Sequence, residues 1–164
     1  MTTAVLSIGS NMGDRLGHLQ SVVDGLPALA VSSVYETAPW GVTGQDDYLN
    51  AIVVVSHEDI DEWGWLHRAH TLENAAGRVR EVRWGPRTLD VDVITVAGVT
   101  SEDPTLELPH PRAHERAFVL VPWLEVQPDA ELPGHGRIAD LVAALPASEI
   151  AGVRRREDLK LEAV

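Results

Sequence analysis

With 164 residues and 45% hydrophobic content, the chain has the length of one globular domain built around a single core. It contains no cysteine, which excludes disulfides, thiolate zinc sites and cysteine nucleophiles and favours hard cations such as magnesium as any bound metal. A formal net charge of −12 argues against nucleic acid or an anionic membrane as main partner, and without a ~20-residue apolar span or a signal-like N-terminus the expected compartment is the cytoplasm.

Thr3 to Gly9 is a short apolar run closed by the Gly9-Ser10-Asn11 turn, as expected of a buried strand. Leu16, Leu19, Val22, Val23 and Leu26 then recur at helical spacing, with Asp14 as a cap and Pro27 as a stop. Val31 to Thr37 alternates as a second strand, and Asn50 to His57 suits a strand covered on both faces. Between them, Ala38 to Leu49 carries Pro39, Gly41 and Gly44 and is long for a simple hairpin. It is either a functional loop or a sign of misplaced strand ends. Asp59 to Ala76 reads as a helix with Ile60, Trp63, Leu66, Ala69, Leu72 and Ala76 along its apolar side. Leu89 to Val96 is a strand, Arg116 to Val126 holds a helix that Pro122 kinks or starts, and Ile138 to Leu145 a last short helix. The order strand, helix, strand, strand, helix, strand predicts an α/β (α+β) domain of split β-α-β form, its mainly antiparallel sheet backed by helices. Arg154-Arg155-Arg156 is expected to be exposed and is assigned no chemistry.

The segment Trp84-Gly85-Pro86-Arg87-Thr88-Leu89-Asp90-Val91-Asp92-Val93 is the most informative. In a strand, Leu89, Val91 and Val93 share one face, and Asp90 and Asp92 the other, about 6.6 Å apart. Two carboxylates so placed need a counter-charge, which divalent cations bridging phosphate oxygens supply. A bare pair of this kind is more often an acidic edge facing solvent. Arg78, Arg80, Arg83 and Arg87 alter that reading, because they set anion-binding forks beside the carboxylates, the combination that phosphoryl transfer uses. The sole lysine is Lys160, so there is no Walker A loop.

These ten residues, with Gly77-Arg78-Val79-Arg80 before them, resemble the signature of the 6-hydroxymethyl-7,8-dihydropterin pyrophosphokinase family. The likeness extends to Gly9-Ser10-Asn11, Tyr35-Glu36-Thr37, Tyr48-Leu49-Asn50, Pro109-His110-Pro111 and Arg116-Ala117-Phe118, and so covers nearly the whole chain. The resemblance implies a ferredoxin-like fold, usually monomeric, and transfer of diphosphate from ATP to the hydroxymethyl group of a reduced pterin, releasing AMP. It further implies that Asp90 and Asp92 bind two magnesium ions. Arg78, Arg80 and Arg87 would contact the triphosphate, and Trp84 would close over the site. His110, Arg116, Glu73 and the backbone of Val93 would lie on the nucleotide side. Tyr48 and Phe118 would sandwich the pterin ring, and Thr37 and Asn50 would hydrogen-bond its edge. Ala38, Trp40, Glu107 and Pro111 depart from the family pattern and bear on loop geometry and affinity.

Two other readings compete with it. A different magnesium-dependent phosphoryl or nucleotidyl transferase would explain the carboxylates and arginines, but not Tyr48, Asn50 and Phe118 together. A ferredoxin-like binding module for RNA predicts a basic, aromatic sheet face, which an acidic chain with one phenylalanine, two tyrosines and five tryptophans fits poorly. His67, His70 and Glu73 follow one another at three-residue spacing but drift round their helix, so a solvated face is expected there in place of a metal site.

Overall fold

In the computed structural model, which describes residues 2–38, 47–77 and 88–162, the long apolar strand β1 (Thr2–Ser10) is central. It runs into helix α1 (Arg15–Gly25), whose first turn is capped by Asp14 accepting from the Gly17 N–H at 3.0 Å. The next strand is not continuous. It forms β2 (Ala28–Val31) and β3 (Tyr35–Thr37), both antiparallel to β4 (Tyr48–His57). Ser32 breaks it: its hydroxyl accepts from the Ile52 N–H at 2.9 Å, so a side chain takes over one backbone position of the ladder. Strand β4 begins at Tyr48, two residues earlier than its apolar run indicates, because Thr37 pairs with Tyr48 and Tyr35 with Asn50.

Helix α2 (Glu62–Ala75) starts after Asp61, which accepts from the Gly64 N–H at 2.8 Å. Its inward residues are Trp65, Ala69 and Glu73, and Trp63 is 42% exposed, contrary to the periodicity taken from Ile60. Ile60 precedes the helix, so its phase does not carry into it. Strand β5 (Asp90–Val96) pairs antiparallel with the other edge of β1, with a bulge where the register steps from Leu6–Val93 to Val5–Thr95. The small hairpin β6 (Ser101–Asp103) and β7 (Leu106–Leu108) ends at the cis Leu108–Pro109 bond. A 3-10 turn (Ala113–Glu115) then leads to α3 (Ala117–Val126), which runs through Pro122. The chain closes with a second small hairpin, β8 (Glu131–Leu132) and β9 (Gly136–Arg137), then α4 (Ile138–Ala144), α5 (Ala147–Ala151) and β10 (Arg154–Arg155). The tail arginines are not merely solvated, since β10 adds to the sheet alongside β3.

The main sheet has the order β10-β3-β4-β1-β5, with β2 also on β4, and every pairing is antiparallel. Strands β1 and β2 are therefore parallel with β4 between them, and β4 and β5 parallel with β1 between them. This is the interleaved split β-α-β arrangement of a mixed α/β domain. One face is sealed by α1 and α2 over Leu6, Ile8, Ala51, Val53, Val91 and Val93. On the other, α3 and α4 cover only Val5, Ile52, Val54 and Ile94. Among the described residues no helix is long and apolar enough to cross a membrane.

Candidate active site

On the face under α3, the strands can be followed in steps of two. Strand β1 presents Val5, Ser7 and Gly9, β4 presents Val54, Ile52, Asn50 and Tyr48, and β5 presents Ile94, Asp92 and Asp90. The apolar members lie in the α3 core, whereas the polar ones fall in two cross-strand rows, Asn50–Gly9–Asp90 and, next to Ile52 at the edge of that core, Ser7–Asp92. Asp90 and Asp92 are half-buried and flank the fully inward Val91. Alternation within β5 thus brings the two carboxylates to one patch, as the sequence indicates.

Gly9 is essential to the shape of this patch. A Cβ there would stand 2.9 Å from Asn50 Oδ1 and 3.5 Å from the Tyr48 ring, so both side chains lean over a floor with no side chain of its own. Asn50 is 4% exposed and its Nδ2 donates to Thr37 Oγ1 at 2.7 Å. Asn50 and Asp90 stand on either side of Gly9, with their strands about 10 Å apart at two interstrand spacings. A flat polar heterocycle beside Asn50 and a charged group beside Asp90 can occupy that span together.

Glu73 is 2% exposed, and its Oε2 accepts from the Val91 N–H at 3.0 Å. It satisfies the outer edge of β5 between the two aspartates, which fixes that strand from α2. Val93 is buried against β1 opposite Leu6. His67 and His70 are exposed while Glu73 points inward, and no group of three metal-capable side chains occurs among the described residues.

At the start of α3, the Arg116 guanidinium lies 5.6 Å from the centroid of the Phe118 ring, which packs at the margin of the core under α3. His110 is tied to β5 by its N–H, which donates to the Ile94 carbonyl at 2.8 Å, and its Nδ1 accepts from the Arg112 N–H at 3.2 Å. Burial, and then the Arg116 charge, push the His110 imidazole down to about 4, with Glu107 opposing the shift. His110 is therefore neutral near pH 7, and it is close enough to Arg116 to feel its charge. Glu107 and Pro111 are exposed. Arg78, Arg80, Arg83, Trp84, Arg87 and Trp40 lie outside the described residues.

Neither the role of Gly9 nor a clamp between α3 and the sheet has a signal in the sequence. Glu125 accepts from the Ser33 N–H at 2.9 Å, the Ser33 hydroxyl at 3.0 Å and the Tyr35 hydroxyl at 2.6 Å. Burial, together with this bond to Glu125, raises the Tyr35 phenol to about 12.

The family model described as 7,8-dihydro-6-hydroxymethylpterin-pyrophosphokinase matches residues 5–128. The chain belongs to this family. It is 52% identical to the 2-amino-4-hydroxy-6-hydroxymethyldihydropteridine pyrophosphokinase of Mycobacterium leprae, over 94% of this chain and 88% of the relative. It is 42% identical to the protein of the same name from Methylorubrum extorquens, over 93% and 99%. Among solved structures, a Plasmodium falciparum HPPK-DHPS chain with pteroate superposes with a TM-score of 0.72 at 13% identity, a likeness of fold. That match covers 94% of this chain and 44% of the longer one, so this chain spans less than half of it.

Proposed function

We propose that the polar half of the sheet face, from Asn50 across Gly9 to Asp90 and Asp92, is where this pyrophosphokinase carries out its reaction. The chain is an ATP-dependent diphosphotransferase of folate biosynthesis, acting on 6-hydroxymethyl-7,8-dihydropterin. The observation that supports the location is the single patch that places the Asn50 amide and a carboxylate pair on opposite sides of a glycine.

Asp90 and Asp92 suit magnesium. They are hard oxygen donors side by side on one face, opposite the small Ser7 and Gly9, and magnesium commonly takes one or two carboxylates and completes its shell with water and phosphate oxygens. Two ions held there would neutralise the phosphate oxygens on which charge builds. Asn50 and Thr37, already bonded to each other, offer donors and acceptors to the pterin edge, and Tyr48 and Phe118 offer ring faces to its plane. His110 and Arg116 take the nucleotide side. We assign Arg78, Arg80 and Arg87 to the triphosphate and Trp84 to the cover of the site on the strength of the sequence motif. The hydroxymethyl oxygen attacks the β-phosphorus, AMP departs, and the hydroxyl proton leaves to Asp92 or to solvent. What these residues contribute is alignment and charge, the two requirements of phosphoryl transfer. The use of ATP supports a cytoplasmic setting, and we take the chain to act there as a monomer.

Incubation with ATP, magnesium and the reduced hydroxymethylpterin, followed by mass analysis, tests the reading. AMP and the pterin diphosphate are expected in equal amounts, and only with magnesium. Release of ADP would contradict it.

A further inference from the structure

Residues 129–162 lie beyond the part of the chain that the family model matches, yet their far end returns to the pterin side of the sheet. Strand β10 pairs Arg154 with Glu36 and Arg155 with Tyr35, and the Arg156 N–H donates to the Val34 carbonyl at 2.8 Å. Three arginines converge on the Glu36 carboxylate, whose side chain is 14% exposed: Arg15 at 3.0 Å, Arg156 at 3.1 Å and Arg154 at 3.4 Å. Two of them also reach Asp47. Arg154 binds its carboxylate at 2.7 Å, and Arg15 donates to its carbonyl at 2.8 Å. Asp158 holds the Arg156 fork from behind at 2.7 and 2.9 Å, and that pairing keeps the Asp158 carboxyl down at about 2, ionised throughout the neutral range.

The two acids at the centre are each one residue from the pocket. Glu36 precedes Thr37, Asp47 precedes Tyr48, and Thr37 and Tyr48 face each other across β3 and β4. We propose that the C-terminal segment Arg154–Asp158 is a positioning element for the pterin pocket, with Arg154 and Arg156 acting through Glu36 and Asp47 to fix the ends of β3 and β4 that carry Thr37 and Tyr48. Exposed ion pairs contribute little to global stability, and Arg154 is 56% exposed, so the effect of this network falls on local geometry more than on folding. A small displacement of a binding group is enough to weaken a site that depends on fixed geometry.

The inference rests on the assignment of Thr37 and Tyr48 to the pterin, and its test separates the two. The full-length protein is compared with Arg154→Gln/Arg156→Gln, with the single Arg154→Gln as a milder variant, and with Arg154→Lys/Arg156→Lys as a rescue. The expected result is a pterin KM raised about five- to tenfold in the double glutamine variant, with the ATP KM and kcat within about twofold and partial recovery in the lysine variant. The single variant should show a smaller shift of the same kind. Unchanged KM values in both glutamine variants would overturn the proposal, as would equal losses for ATP and pterin or a double variant that fails to fold while Arg154→Gln binds pterin normally. Absence of turnover in the wild-type protein would instead count against the functional reading itself.

Discussion

The same sheet face is built in two ways along its length. Under α3, the strands offer Val5, Val54, Ile52 and Ile94 to Leu120 and Trp123, and the space is closed. A few residues further along the same strands, the positions become Ser7, Gly9, Asn50, Asp92 and Asp90, which stand outside the apolar cluster under α3. A polar site therefore needs no separate scaffold. It arises where the side chains on alternate strand positions change from branched apolar to small or polar, while the opposite face stays continuously apolar under α1 and α2.

Mutations in the two halves should fail differently. The largest effect is expected in the covered half, where Trp123→Ala removes a side chain that is 1% exposed and should cost about 3–5 kcal/mol of stability. Chemical denaturation would measure it, and activity per folded molecule should remain within a few fold. In the polar half the loss should be catalytic. Asp90→Asn and Asp92→Asn should each lower turnover at least about 100-fold, about 2.7 kcal/mol of transition-state stabilisation, while the protein stays folded. Rates and midpoints recorded on the same preparations would show whether the halves separate in this way.

The boundary between the halves gives a sharper test. Phe118 is packed at the margin of the α3 core and Tyr48 leans over Gly9, so Phe118→Ala and Tyr48→Ala should each weaken pterin binding by about 1–3 kcal/mol. Calorimetry with both ligands should find ATP binding nearly intact. Equal losses for both ligands would assign these rings to the fold.

Period-two alternation made Asp90 and Asp92 legible in the sequence, because a strand of that pattern has only one way to sort its side chains. The split topology was equally legible from the order of apolar segments. Tyr48 was harder to place, since it is a strand residue only because Thr37 of β3 pairs with it, and a polar residue before an apolar run looks locally like a turn. The misassigned Trp63 followed from extending helical phase back to Ile60, which lies outside α2. Contacts between distant segments left no local mark. Glu125 meets Ser33 across 92 positions, and Arg156 meets Glu36 across 120. Gly9 looked like a turn glycine, whereas its function is to leave room for its neighbours.

The smallest expected effect is a titration. Burial and Arg116 favour neutral His110, so its contribution to stability is fully present above about 6.5 and is lost as pH falls through about 4. In NMR of the free protein the ring should stay neutral at pH 5.5. Adding a non-hydrolysable ATP analogue with magnesium should raise its pKa, because a polyphosphate nearby favours the imidazolium. A titration curve that does not move would remove His110 from the nucleotide side.

The carboxylate pair is the feature on which the polar half depends, and counting bound metal tests it most directly. With the ATP analogue present, manganese titrated in place of magnesium and followed by electron paramagnetic resonance should show two ions per wild-type chain. The Asp90→Asn/Asp92→Asn variant should bind fewer than two, or bind them at least about tenfold more weakly, while the free pterin binds as before. Two ions held by that variant with unchanged affinity would contradict the assignment of Asp90 and Asp92 as the metal ligands.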